Sequence, residues 1–153
     1  MATIRQNKQA YDQWREYRNA LIKATAIDRT ESYGEKQRRI NRLEADPEAW
    51  FAYYFPSYCT APPADFHKRA TRRIVNNPEW FECRNWSREL AKSTRTMFEA
   101  LYLSLTGKKK TWLLISNSED NAMRLLEPYR ANLDSNQRII NDYGDQRSFR
   151  KWR

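Results

Sequence analysis

Residues 79 to 133 alternate between short apolar or aromatic runs and longer stretches of helical period, and this order limits the fold more than any other feature of the chain. Glu79 to Trp86 is short, aromatic and preceded by Pro78, which predicts a strand. Ser87 to Lys92 reads as a turn. Ser93 to Thr106 places Met97, Leu101 and Leu105 on one helical face, with Phe98 and Tyr102 beside it, and Gly107 stands where a helix stops. Thr111 to Ser116 (Thr-Trp-Leu-Leu-Ile-Ser) is a continuous apolar run of the kind found in buried strands. Glu119 to Leu133 reads as a helix with Ala122, Leu125, Leu126 and Tyr129 inward. Strand, turn, helix, strand, helix implies a right-handed crossover and a parallel sheet, so the expected fold class is α/β. Two parallel strands leave open edges and uncovered apolar faces, so the expected sheet is incomplete.

The preceding segment predicts helices. From residue 4 to 45, Tyr11, Trp14, Tyr17, Leu21 and Ile22 fall at helical spacing, with a break at Thr30 to Gly34 and a second helix over Glu35 to Leu43. Asp46-Pro47 combines a capping carboxylate with proline at the first helical position, and opens a helix to Tyr54 that carries Trp50 and Phe51. Pro62-Pro63 holds a loop over 57 to 63, and Asp65 to Val75 is the next helix, ended by Asn76-Asn77-Pro78. A last short helix is expected over Asn136 to Tyr143, followed by a polar, basic tail from Gly144 to Arg153. The expected division is a helical subdomain over 1–60, a second unit over 61–144 and the basic tail over 145–153.

The formal net charge of +9 favours polyanionic partners, nucleic acid first. Six Trp, nine Tyr and six Phe argue for a packed core in spite of the high polarity. Cys59 and Cys83 with a single histidine cannot assemble a four-ligand zinc site, and isolated thiols suit a reducing compartment. The first residues carry no apolar core of a secretory signal, and no apolar run approaches the roughly 20 residues of a membrane span. No membrane association is expected, and the host-cell cytoplasm is the expected location.

Lys92-Ser93 lies where the first strand is expected to give way to a helix. A phosphate-binding loop reads Gly, four residues, Gly-Lys-Ser/Thr; here Trp86 and Ala91 stand at the two glycine positions. The location supplies the physics, because free N–H groups and the helix dipole attract phosphate at a helix start. Lys92 is expected to reach the β- and γ-phosphates, Ser93 to ligate Mg²⁺, and Arg88 to add a second cation near the γ-phosphate. Ala91 is unfavourable if that position needs a left-handed backbone. The alternative is an ordinary helix start, with Ser93 or Thr94 near the cap.

Ser87-Arg88-Glu89-Leu90-Ala91-Lys92-Ser93-Thr94 resembles the deviant Walker A loop of tailed-phage and prophage terminase large subunits, the ATP-driven DNA-packaging motors. That family often has Ser-Arg-Gln-x-Gly-Lys-Thr/Ser, or Arg-Gly-x-x-Lys-Ser/Thr, so Glu89 and Ala91 depart from the first pattern while Arg88, Lys92 and Ser93 fall on its Arg, Lys and hydroxyl positions. Asp65-Phe66-His67 is similar to the segment that the family sets against adenine. The segment Leu113 to Ala122 is similar to the family's next strand and following helix. The resemblance covers about Asp46 to Gly144. It implies the front βαβα portion of a P-loop NTPase sheet, nucleotide-binding roles for Phe66, His67 and residues 88–94, a catalytic role for Arg88, and ATP and Mg²⁺ as cofactors. The implied partners are double-stranded DNA and the remaining terminase segments, the small terminase subunit or the portal.

Hydrolysis in such motors needs four apolar residues followed by Asp-Glu. Ser116, Asn117 and Ser118 separate Leu113-Leu114-Ile115 from Glu119-Asp120, so these carboxylates are expected in the next helix. The chain therefore reads as a fragment or truncated frame, or as one that borrows strands from a partner, although Met1 suggests a genuine amino terminus. Catalytic competence alone is not expected. Two rival readings stand beside the motor. One is a basic, non-enzymatic nucleic-acid-binding protein of prophage origin, from the aromatics interleaved with Arg and Lys between Phe66 and Arg95; the other is the front half of a helicase-type P-loop protein.

Overall fold

Capping chemistry sets most of the helix starts in the computed structural model, which describes residues 4–146. The order is α1 (Ile4–Ala24), α2 (Tyr33–Ala45), α3 (Pro47–Tyr54), α4 (Asp65–Asn76), α5 (Lys92–Leu105), α6 (Glu119–Ser135) and α7 (Gln137–Tyr143). Ser32 and Glu35 form a reciprocal capping box at α2, with the Ser32 N–H donating to the Glu35 carboxylate at 3.0 Å. This box starts α2 ahead of Gly34, so the chain break falls at 25–32 and the glycine lies inside the first helical turn. Asp46 accepts the Glu48 N–H at 3.0 Å and Pro47 occupies the first turn of α3, as the Asp-Pro pair predicts. Gly107 follows α5 with φ +74°, a left-handed position that ends the helix.

The expected α/β architecture does not form. Among the described residues there is no β-strand and no sheet; the architecture is helical. Both segments expected as strands, Glu79–Trp86 and Thr111–Ser116, lie outside any ladder. The reason lies in partners rather than composition. A strand needs a neighbour to satisfy its N–H and C=O groups, and no backbone hydrogen bond joins these two segments among the described residues. Their apolar side chains stay correspondingly open, with Phe81 88%, Leu113 80% and Ile115 78% exposed. The continuous apolar run at 111–116 is thus not a buried strand: Trp112 and Leu114 line a cleft beside α5 and α6, while Leu113 and Ile115 face away.

The core is built by helices on either side of residue 60. α5 packs against α3, α4 and α6, and α7 closes the base against α6. Trp50, Phe51, Tyr54 and Phe55 of the α3 region meet Met97, Phe98, Leu101 and Tyr102 of α5, with Leu43 and Ile139 completing the cluster. Phe55 and Phe98 stack at 4.6 Å between centroids, and the fully buried Trp50 meets Tyr102 edge-on at 5.3 Å. The polar ends of these rings are satisfied: Trp50 Nε1 donates to Tyr143 Oη at 2.9 Å, Tyr54 Oη to Asp142 at 2.8 Å and Tyr102 Oη to the Glu44 carbonyl at 2.7 Å. One consequence positions the site: α5 is held along its length, so its N-terminus is a fixed point.

Candidate functional site

The turn that enters α5 carries backbone strain. Glu89 has φ +66° and Ala91 φ +51°, the only two non-glycine residues with positive φ among those described. A left-handed residue with a Cβ costs on the order of 1–2 kcal/mol, so the surrounding contacts must hold the turn. Ala91 occupies the second glycine position of the phosphate-loop pattern, and its left-handed backbone is the conformation that glycine would supply without cost.

α5 begins at Lys92, with Ala91 as its N-cap. No side chain caps it, and its first internal bond is the Arg95 N–H to the Ala91 carbonyl at 2.8 Å. The N–H groups of Lys92, Ser93 and Thr94 therefore point out of the helix start, where the dipole is positive. Lys92 Nζ donates to the Trp86 carbonyl at 2.9 Å, bridging the turn. Lys92 and Ser93 are exposed, Thr94 is half-buried, and Arg88 is exposed at the tip of the turn. The start of α5 thus offers three free backbone donors and the exposed Ser93 hydroxyl, with Lys92 held on the turn and Arg88 exposed within it, groups of the kind that bind phosphate.

Phe66 and His67, at the start of α4, are brought to this turn. Phe66 meets the Trp86 ring edge-on at 5.1 Å. His67 Nδ1 accepts the Ala64 N–H at 3.2 Å, so Nε2 carries the proton and donates to the Leu90 carbonyl at 3.0 Å. Both rings thereby support the turn from below. A cleft of about 650 Å³ opens beside the turn, lined by His67, Glu89, Leu90, Ala91 and Thr94 and by the loop Tyr58–Pro63. Phe66 is not part of its lining.

A buried polar network lies beneath the turn, and sequence reasoning missed it. Arg95 makes a two-pronged ion pair with Glu48 of α3, with Nη1 at 2.9 Å, and Nη2 donates to Thr71 Oγ1 at 2.6 Å. The Thr71 hydroxyl donates on to Glu99 Oε1 at 2.6 Å, and Arg84 reaches Glu99 Oε2 at 2.7 Å. The network ties α3, α4 and α5 to the segment just before the turn. Burial pushes the Glu99 carboxyl up, against the opposing pull of Thr71 and Arg84. A signal was present: Arg95 and Glu99 sit one turn apart in phase with the apolar positions Phe98 and Tyr102, where a solvated charge does not belong.

The carboxylates expected outside the site are outside it: Glu119 and Asp120 occupy the first turn of α6, where Ser118 Oγ accepts the Asn121 N–H at 3.3 Å. No group of three or more His, Cys, Asp or Glu side chains is placed to hold a metal ion among the described residues. No helix among the described residues is long and apolar enough to cross a membrane. In comparisons with known proteins, no family model, no curated protein and no solved structure matches the chain.

Proposed function

We propose that residues 87–94 bind the phosphates of a nucleotide, ATP, and that the chain is the N-terminal, ATP-binding part of a phage or prophage terminase large subunit, a DNA-packaging motor. The observation that carries this reading is the strained left-handed Ala91 immediately before an uncapped helix that starts with Lys92-Ser93. Strain of this kind persists where function requires the geometry. Lys92 exchanges the Trp86 carbonyl for phosphate oxygens, the free N–H groups of α5 cradle them, and Arg88 adds charge from the turn. Ser93 is the residue that would hold Mg²⁺, which when bound neutralises phosphate charge.

The proposal rests on the turn and its helix, and requires no sheet within this chain. Binding without useful turnover is expected, because no apolar run leads directly into an Asp-Glu pair, and Glu119 and Asp120 lie in the first turn of α6. Isothermal titration with ATP and with adenosine, on wild type and Lys92→Ala, tests it. Saturable binding of ATP but not adenosine, lost in Lys92→Ala, is the expected result. Equal binding of ATP by both proteins would place the nucleotide elsewhere, and turnover at the rate of a complete motor would contradict the incomplete site.

A further inference from the structure

α4 is a two-faced helix. Ala70 and Thr71 are buried and Ile74 and Val75 half-buried on one side, while Lys68, Arg69, Arg72 and Arg73 fall at i, i+1, i+4 and i+5 on the other. Arg69, Arg72 and Arg73 are exposed. Arg73 pairs with Glu82 at 3.0 Å, whereas Lys68, Arg69 and Arg72 take part in no ion pair among the described residues. The segment after α4 runs back alongside it, since Glu82 meets Arg73 near the end of the helix and Trp86 meets Phe66 near its start. Exposure alternates along that segment: Glu82, Arg84 and Trp86 turn toward the protein, and Phe81, Cys83 and Asn85 turn outward. Phe81 is 88% exposed, next in the chain to the Glu82 that pairs with Arg73, while Lys68 and Arg72 border a cleft toward the start of α3.

From this juxtaposition we infer that the outer face of α4 and the flanking row Phe81, Cys83 and Asn85 form a binding surface for single-stranded nucleic acid. Arg69, Arg72 and Lys68 contact the phosphate backbone, and Phe81 stacks on an unpaired base. A free aromatic ring selects single strands, because the base faces of a duplex are already stacked on one another. The net charge of +9 supplies attraction at long range, and the local cluster places it. The surface adjoins the phosphate-binding turn through Trp86 but uses different side chains, and does not depend on nucleotide binding there.

Fluorescence anisotropy tests the inference with labelled thymidine and uridine oligomers of about 20 nucleotides and a duplex of the same length, at about 50 and about 200 mM salt. Single strands are expected to bind more tightly than the duplex, with the two oligomers separating DNA from RNA preference. Phe81→Ala is expected to weaken single-strand binding about tenfold. Arg69→Ala with Arg72→Ala is expected to reduce the salt slope by roughly one to two units. Cys83 reports on the place: its alkylation by iodoacetamide is expected to slow when the oligomer is bound. Circular dichroism confirms that each variant is folded. No binding at the lower salt, duplex binding as tight as single-strand binding with Phe81→Ala silent, unchanged Cys83 alkylation, or loss of oligomer binding in Lys92→Ala would each overturn it.

Discussion

Lys92 Nζ donates to the carbonyl of Trp86 at 2.9 Å, so the cation at the start of α5 is held at the turn it is proposed to serve. The bond is exposed to water, and exposed contacts of this kind contribute within about 0.5 kcal/mol to stability. Lys92→Ala is therefore expected to leave the urea midpoint almost unchanged while lowering ATP affinity tenfold or more, the usual scale of a lost charge-assisted hydrogen bond. Urea denaturation and nucleotide titration of the same preparation check both halves. A large drop in stability would make the lysine structural and remove its value as a probe of the site.

Ala91 gives a prediction of opposite sign. Its φ of +51° is a conformation that glycine adopts freely. Ala91→Gly removes the Cβ conflict but adds freedom to the unfolded chain, so the net gain is expected at about 0.5–1 kcal/mol. ATP affinity is expected to rise as well, since the turn also gains the glycine of the phosphate-loop pattern. Denaturant melts and titrations of the variant measure the two effects. Destabilisation by Ala91→Gly would show that the left-handed turn is not the solution structure.

The helices were legible because their signals are local. Asp46-Pro47 and Gly107 act within a few residues, and each marks a helix end in the fold, whereas the Ser32–Glu35 box went unread and α2 starts at Tyr33, ahead of the expected Glu35. Phe66 and His67 reach the turn through the Trp86 ring and the Leu90 carbonyl, and His67 alone of the two lines the cleft beside it. That the two expected strands do not form was not legible, because a strand is a relation between segments. Thr111–Ser116 has the composition of a buried strand, yet composition cannot supply the neighbour that a ladder needs. The Glu48–Arg95–Thr71–Glu99–Arg84 network was missed for the same reason, since its links span 24 to 47 residues where both ends are hydrogen-bonded.

That network supplies a third prediction. Arg95 is buried, with its Nε atom unpartnered and its Nη atoms committed to Glu48 and Thr71. Glu48→Gln leaves an uncompensated buried cation, and losses of about 3–5 kcal/mol are typical when one partner of such a pair is removed. The partial exposure of Glu48 lets water screen the remaining charge, so the expected loss is at the lower end, about 2–3 kcal/mol. Glu48→Gln with Arg95→Met removes both charges and is expected to recover much of it. A double-mutant cycle in urea measures the coupling, and strictly additive losses would show that the pair is not an interacting unit.

The last prediction concerns acid. Arg39 bridges Glu31, at 2.7 Å, and Asp142, at 2.6 Å, fastening the α1–α2 loop and α2 to the end of α7. The hydrogen bonds from Arg39 hold the Glu31 carboxyl below its ordinary value of 4.5, against burial and the nearby Asp142 and Asp28 charges. Glu35 and Asp28 are lowered too, by hydrogen bonds from Ser32 and Thr30. In each case the folded chain binds fewer protons than the unfolded chain between the two values, so the contribution is fully present above the ordinary carboxyl range and is lost as pH falls through the lowered value. Stability is therefore expected to hold from neutrality to about pH 5 and to fall below the ordinary carboxylate range. Glu99, raised by burial, acts in the opposite sense: its contribution is largest at low pH and declines as pH rises through its folded value. Glu31→Gln is expected to be less stable than wild type at neutral pH and to show a shallower acid limb, because the proton-linked part of the Arg39 bridge is gone. Thermal melts of both proteins between about pH 3 and 7 follow the limb, and parallel curves would assign the acid sensitivity to other carboxylates.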